Sequence, residues 1–288
     1  MHRQFDPKKI KALALDLDGT ALMPDNTLGE RTLSCLKKLI AGGMKVIICT
    51  GRAIEAAESY RAAMGAEGPM VFFNGAEVVD MPSGKILSAD LLDIDVVDFG
   101  IDIARSLGLH YQLYFPAGAV EDSKWEALII DKVTPEAEMY CNHTGITPVV
   151  RDLKEVIAAP GLQGCVKAMF ITDPARHNEI RKKMLDRFGG RIYIARTFPT
   201  FLEVMNAGVS KGEGLKTVMR HCGLKPEEVI ALGDEENDLL MFKEAGFSAA
   251  PANARENVRE AADHVFGSNA EEGIAAFLEE QFFISRNE

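Results

Sequence analysis

The chain has 288 residues, 47% of them hydrophobic and 26% charged, with a formal net charge of −11. That is enough chain for one large domain or two modest ones with a substantial core. It excludes a broad nucleic-acid face, which needs clustered Lys and Arg, but not a small phosphorylated ligand held by one or two local cations. The cysteines (Cys35, Cys49, Cys141, Cys165, Cys222) are odd in number, scattered and without a Cys-x-x-Cys pair. No zinc site is therefore expected, and reduced thiols in a cytoplasm are. The first ten residues, MHRQFDPKKI, lack the apolar stretch of a signal peptide, and no window approaches a membrane span. The expectation is a cytoplasmic protein with no membrane partner, a monomer or a small homo-oligomer.

In chain order, IKALALDLD is an apolar run that ends in acid, and a strand is expected there. TLGERTLSCLKKLIAGG follows with Leu33, Leu36, Leu39 and Ile40 at helical spacing, a Thr27-x-x-Glu30 capping box before them and Gly42-Gly43 as a stop. MKVIICT reads as a strand buried on both faces, AIEAAESYRAAMG as a helix and PMVFFNGA as a third strand. Alternation of this kind predicts a parallel sheet with right-handed crossovers and a ligand site beyond the carboxyl ends of the strands. Asp16, Thr50 and Asn74 all fall at such ends.

The middle of the chain loses this rhythm. EVVDMPSGKILSAD reads as a hairpin with Ser83-Gly84 at its turn, and Pro, Gly and polar clusters then interrupt the segment as far as RIYIARTF. Residues 82–195 are expected to form an inserted α+β domain that closes over the strand ends. Residues 1–81 and 196–288 then form one discontinuous α/β core. The alternation resumes with SKGEGLKTVMRHCG as a helix, EEVIALGD as a strand and ENDLLMFKEAG as a helix, and NAEEGIAAFLEEQF closes the chain as another.

Asp16 and Asp18 alone could be a hairpin turn, since Asp-Gly dipeptides open such turns. The second half of the chain changes the balance. In VIALGDEEND, Asp234, Glu235, Glu236 and Asp238 crowd into five residues with Asn237. This suits a helix N-terminus, but the carboxylates repel one another. A hard divalent cation relieves that repulsion, and Mg²⁺ is typically held by one or two carboxylates, waters and a substrate phosphate. Lys211 begins a helix, where a cation gains nothing from the dipole. It reads either as a solvated side chain or as a fixed positive charge between phosphate oxygens and a carboxylate. Thr50-Gly51-Arg52 ends a strand and opens a helix, offering a hydroxyl and backbone N–H groups to an anion.

DLDGT, CTGR, NGA, SKG and GDEEND, in this order and spacing, resemble the haloacid dehalogenase superfamily, most closely its Cof-type sugar-phosphatase branch. The resemblance covers nearly the whole chain and implies a Rossmann-like core with an inserted α+β cap. It further implies that Asp16 is the nucleophile that becomes an aspartyl-phosphate, and that Asp18 is the general acid and base. Mg²⁺ would be held by the Asp16 side chain, the Asp18 backbone carbonyl and Asp234, with Asn237 and Asp238 in support. Thr50, the Gly51 N–H, Arg52, Asn74, Asn237 and Lys211 would serve the phosphoryl group or substrate. The implied activity is Mg²⁺-dependent hydrolysis of a small phosphomonoester, a sugar phosphate or related metabolite. A phosphomannomutase-like phosphomutase, which would require a bisphosphate activator, and a non-catalytic phosphate-binding module remain alternatives.

Two departures from that pattern concern the borders of the site. SAAPANARENVREAAD has Ala-Pro before Asn253 where Met-Gly is usual, and SNAEEGIA has Ser268 and Glu272 in place of Thr and Asp. Asn253 and Asn269 are therefore weak candidates for contacts. Trp125 reads as core or surface of the insert, and His110, His143 and His177 lack metal-ligand spacing. Phe201 and Met205 suit a buried strand. Lys167 reads as an edge lysine and Glu203 as a buried acid in need of a partner.

Overall fold

The structure, a computed structural model, describes residues 6–116 and 126–283. In chain order its first strands and helices are β1 (Ala12–Leu15), α1 (Glu30–Ala41), β2 (Lys45–Ile48), α2 (Ile54–Met64), β3 (Gly68–Phe72), β4 (Glu77–Met81) and β5 (Lys85–Ala89). There follow β6 (Leu92–Asp93), α3 (Ile94–Leu107), β7 (His110–Phe115), β8 (Ala127–Ile130), α4 (Pro135–Thr144), β9 (Val149–Val150), α5 (Leu153–Ile157) and β10 (Gly164–Cys165). Next come β11 (Lys167–Ile171), α6 (His177–Phe188), β12 (Ile192–Phe198) and β13 (Phe201–Asn206). The chain continues through α7 (Lys211–Cys222), β14 (Val229–Leu232), α8 (Leu239–Glu244), β15 (Phe247–Pro251), α9 (Glu256–Ala261), β16 (His264–Phe266) and α10 (Gly273–Leu278).

Two compact units result, one of Met1–Arg52, Ala57–Leu87 and Ser210–Glu288, the other of Ala53–Ala56 and Ser88–Val209. Residue 82 falls in the turn between β4 and β5, and residue 195 falls inside β12. β12 pairs along its length with β13 from Ile192↔Asn206 to Phe198↔Phe201, so both strands belong to the second unit and the chain leaves it only after Val209.

The first unit is an α/β layer structure. Its parallel sheet has the order β16-β15-β14-β1-β2, and a parallel bridge between Cys49 and Val71 continues it to β3. β3 then turns antiparallel into β4, in a small sheet of order β3-β4-β5. All four residues of β1 are fully buried, as expected of a strand covered on both faces. Burying each of its leucines is worth about 1.5–3 kcal/mol. One face of the sheet meets Leu215, Val218 and Met219 of α7 and Met241 and Phe242 of α8.

The capping box expected at α1 does not form. Thr27 bonds to Asp25 instead, through both its N–H and its hydroxyl. The helix starts two residues later, with Gly29 as its N-cap, and the carboxylate of Glu272 accepts from Thr32 N at 2.7 Å. A long-range carboxylate has replaced the local one at the helix N-terminus, where either satisfies an otherwise unpaired N–H.

The second unit is α+β. Its sheet has the order β12-β13-β11-β7-β8-β9, antiparallel except for the β8–β9 pair. Val97 and Ile101 of α3 and Ile180 and Met184 of α6 cover one face through Leu113, Phe170 and Val204. Phe201 and Met205 are buried in β13. Lys167 is not an edge lysine: β11 lies inside the sheet and the residue is 3% exposed. Its ammonium meets Glu203 Oε1 at 2.9 Å, which supplies the partner that acid requires. The two residues are diagonal neighbours across β11 and β13, a pairing set by strand register.

His110 bonds to Gln112 and Thr134, as an ordinary buried histidine. Trp125 lies outside the described residues. Among those residues, no helix is long and apolar enough to cross a membrane.

Candidate active site

The parallel sheet delivers four chain segments to one edge. Asp16 follows β1, Thr50 follows β2, Asn74 follows β3 and Asp234 follows β14, each just beyond the carboxyl end of its strand. After Asp16 the backbone makes a tight turn over Leu17–Ala21 in which Gly19 has φ 73°. The Asp-Gly pair is therefore a turn as well as a site element. Glycine is required at that turn, since a Cβ there would lie 2.2 Å from Asp234 Oδ2.

Lys211 is fixed from two directions. Ser210 caps α7 by accepting from Glu213 N, which makes Lys211 the first helical residue. Gly75, at φ 103°, lies so close that a Cβ would sit 2.0 Å from the Ser210 carbonyl oxygen. The glycine of NGA thus lets the β3 end press against the start of α7. Lys211 is 1% exposed, and its Nζ lies 2.7 Å from both Asp16 Oδ1 and Asp238 Oδ1.

Asp238 is fully buried, and its Oδ2 accepts from the backbone N–H groups of Asp234 and Glu235. It anchors the acidic loop and holds Lys211. Thr20, which sequence reasoning missed, is also fully buried and donates to Asp234 Oδ1 at 3.0 Å. The signal was available, since Thr20 ends the DLDGT motif, but its partner is remote in the chain.

Oxygens of Asp16, Asp234 and Asp238 lie within 4.8 Å of one another. Three buried carboxylates face one buried ammonium, so negative charge is in excess. Its electrostatic signature is clear. Burial, reinforced by Asp238 and other acids and opposed by Lys211, pushes the Asp16 carboxyl well above the ordinary range. Burial and then Asp238 push Asp234 up to about 6. Lys211 is raised despite its burial, because Asp16 and Asp238 favour its charged form. A divalent cation fits this donor set. Asp16 and Asp234 are the side chains that could hold it, whereas both oxygens of Asp238 already serve Lys211 and the loop.

The expected phosphate and substrate residues divide into two groups. Thr50 is fully buried at the end of β2, and its Oγ1 accepts from Arg52 N. A Cβ on Gly51 would be 3.0 Å from Asn74 Oδ1. Asn74, itself at φ 57°, accepts at Oδ1 from Asn237 Nδ2 at 2.8 Å. These four therefore gather at one place. Arg52 points instead to Asp18: its Nε and Nη2 reach the two carboxylate oxygens at 2.9 and 2.6 Å.

Asn253 and Asn269 have a definite role. Asn253 donates to Gly19 O and accepts from Asn269 N, while Asn269 donates to Leu22 O. They hold the turn that carries Asp16 and Asp18 by its backbone.

A family model described as haloacid dehalogenase-like hydrolase matches residues 13–278. The chain belongs to the haloacid dehalogenase-like hydrolases. It is 31% identical over 273 residues to the 5-amino-6-(5-phospho-D-ribitylamino)uracil phosphatase YitU of Bacillus subtilis, covering 94% of this chain and 97% of that one. Identity to the HMP-PP phosphatase of Serratia proteamaculans is 27%, over 92% of this chain and 93% of the relative. A crystal structure of a haloacid dehalogenase-like hydrolase from Bacteroides thetaiotaomicron superposes with a TM-score of 0.84 at 26% identity, covering 95% of this chain and 100% of that one. The family and its phosphatase relatives make this chain a phosphoric monoester hydrolase, and its parallel-sheet core is the haloacid dehalogenase-like fold.

Proposed function

We propose that the protein is a Mg²⁺-dependent phosphatase that hydrolyses a small phosphomonoester, a sugar phosphate or related metabolite, through an aspartyl-phosphate on Asp16. The observation that carries this reading is the Asp16–Lys211–Asp238 arrangement beside Asp234. It provides a buried carboxylate nucleophile, a fixed cation beside it and an excess of negative charge suited to a divalent ion. The relatives named as phosphatases of small phosphorylated metabolites support the substrate class. All five cysteines are free thiols, which supports a cytoplasmic location.

In the first half-reaction a carboxylate oxygen of Asp16 attacks phosphorus and the bond to the ester oxygen breaks, the Asp18 carboxyl giving its proton to the departing alkoxide. In the second, water attacks phosphorus and passes a proton to the Asp18 carboxylate, and the acyl-phosphate bond breaks to return Asp16 and release phosphate. Lys211 and the Thr50 hydroxyl hold phosphoryl oxygens through both steps, with Asn74 and Asn237 bordering the same region. Phosphoryl transfer depends mainly on such positioning and charge neutralisation. Mg²⁺, when bound by Asp16, Asp234 and the Asp18 carbonyl, supplies further neutralisation of the phosphoryl oxygens.

Phosphate release from a panel of phosphorylated metabolites tests the reading. Mg²⁺-dependent turnover of at least one, lost in Asp16→Asn, is expected. A panel with no turnover, including of generic aryl esters, would remove the assignment.

A further inference from the structure

The resemblance assigns Arg52 to the phosphoryl group or substrate, yet its guanidinium lies on Asp18 with both carboxylate oxygens engaged. Two residues that no motif includes hold the arginine there. Its Cζ sits 5.2 Å from the centre of the Tyr60 ring, and its Nη2 lies 3.4 Å from Asn26 Oδ1. Tyr60 in turn donates its hydroxyl to Asn26 O at 2.8 Å. Asn26 has φ 63°, a left-handed conformation that asparagine tolerates better than most side chains. The Asp18 side chain is 52% exposed while that of Arg52 is 21% exposed, so the arginine is the better-fixed partner.

Magnitudes indicate what such a pair is for. An ion pair this exposed is worth at most about 1 kcal/mol of stability. A two-pronged contact does, however, fix the direction of a carboxylate that would otherwise sample several rotamers. We propose that Arg52 is a positioning residue that aims Asp18 at the ester oxygen and the attacking water, and that Tyr60 and Asn26 form the bracket that holds it. The inference rests on the phosphatase reading above. It assigns Arg52 a role exerted through Asp18 and not through the phosphoryl group.

Two aryl esters of similar size separate these roles. 4-Nitrophenyl phosphate has a leaving group that departs without a proton, whereas phenyl phosphate depends on the general acid. General acid–base catalysis typically contributes about 10²–10⁴-fold. Single-turnover cleavage at saturating Mg²⁺ should therefore fall at least ~10-fold further for phenyl than for 4-nitrophenyl phosphate in Arg52→Ala and in Tyr60→Leu. Tyr60→Phe keeps the ring and loses only the hydroxyl, so it should show a smaller effect in the same direction.

The decisive comparison uses Asp18→Asn. Adding Arg52→Ala to it should cause no further loss of phenyl phosphate cleavage, because the arginine acts through a group already removed. Equal losses on both esters, a change confined to KM, or independent multiplication with Asp18→Asn would each overturn the proposal and return Arg52 to phosphoryl binding. Thermal melts of the variants should match the parent protein, and the mild Tyr60→Phe change keeps the test valid if a larger one misfolds. Failure of the unaltered protein to cleave either ester would be seen first and would defeat the phosphatase reading itself.

Discussion

Lys211 Nζ lies 2.7 Å from Asp16 Oδ1, and both side chains are almost wholly removed from solvent. The contact joins the start of α7 to the end of β1 and balances part of the negative charge in the site. Lys211→Met should abolish turnover. It should also destabilise the protein at neutral pH by about 3–5 kcal/mol, the usual cost of leaving a buried charge unpaired. At pH 5 the loss should be smaller, because unpaired buried carboxylates escape the penalty by protonation. Denaturant titrations at the two pH values check this. An equal loss at both would mean that packing of the lysine stem dominates.

Metal binding should carry a pH signature. Burial and then Asp238 push the Asp234 carboxyl up to about 6, above its ordinary range. The folded state therefore binds this proton more tightly than the unfolded chain. Its contribution is fully present at pH below the ordinary aspartate value and is lost as pH rises through about 6. Mg²⁺ needs the ionised group, so its stabilising effect should be small at pH 5 and grow through pH 6 to 7. At 100 times the Kd it should reach about 2.7 kcal/mol. Thermal melts with Mg²⁺ and with EDTA across this range give the result, and Asp234→Asn should erase the difference. Stabilisation by Mg²⁺ that is independent of pH would contradict the assignment of Asp234.

The Asn253–Asn269 pair predicts a structural effect on catalysis. Asn269→Ala deletes the buried bond to Leu22 O and should cost about 1–3 kcal/mol. It should also lower kcat more than it raises KM, since the turn it supports carries Asp16 and Asp18. An unchanged kcat in a destabilised variant would limit Asn269 to a folding role.

In the second unit the Lys167–Glu203 pair calls for a double-mutant cycle. Lys167→Met or Glu203→Leu alone should destabilise by about 3–5 kcal/mol, since each leaves the other buried charge unpaired. Lys167→Met combined with Glu203→Leu should recover most of that loss, because the double change removes both buried charges. Additive losses would show that the two residues do not act as a pair.

Much of the core and site could be read from the chain because each local pattern has a local cause. All-apolar strands that end in acid or Thr mark Asp16, Thr50 and Asp234, and Ser210-Lys211 before an amphipathic helix marks the start of α7. What could not be read depends on distant partners. The Thr27-x-x-Glu30 pattern is a valid helix start in isolation, but Glu272, far along the chain, takes its place. Lys167 alone resembles an edge residue, and only the register of β11 against β13 brings Glu203 to it. Asn26 and Tyr60 carry no motif, and their relation to Arg52 exists only once the end of β2, α2 and the turn before α1 have come together. The end of the second unit is equally hidden, because only the pairing of β12 with β13 keeps the chain in that unit as far as Val209.

The most direct test of Asp16 as nucleophile is to quench the enzyme in acid during turnover of 4-nitrophenyl phosphate and map the phosphoryl group by mass spectrometry. The prediction is one phosphoryl group per chain, on the peptide that contains Asp16, released by hydroxylamine and absent from Asp16→Asn. A phosphoryl group on another residue, or undiminished turnover by Asp16→Asn, would contradict it.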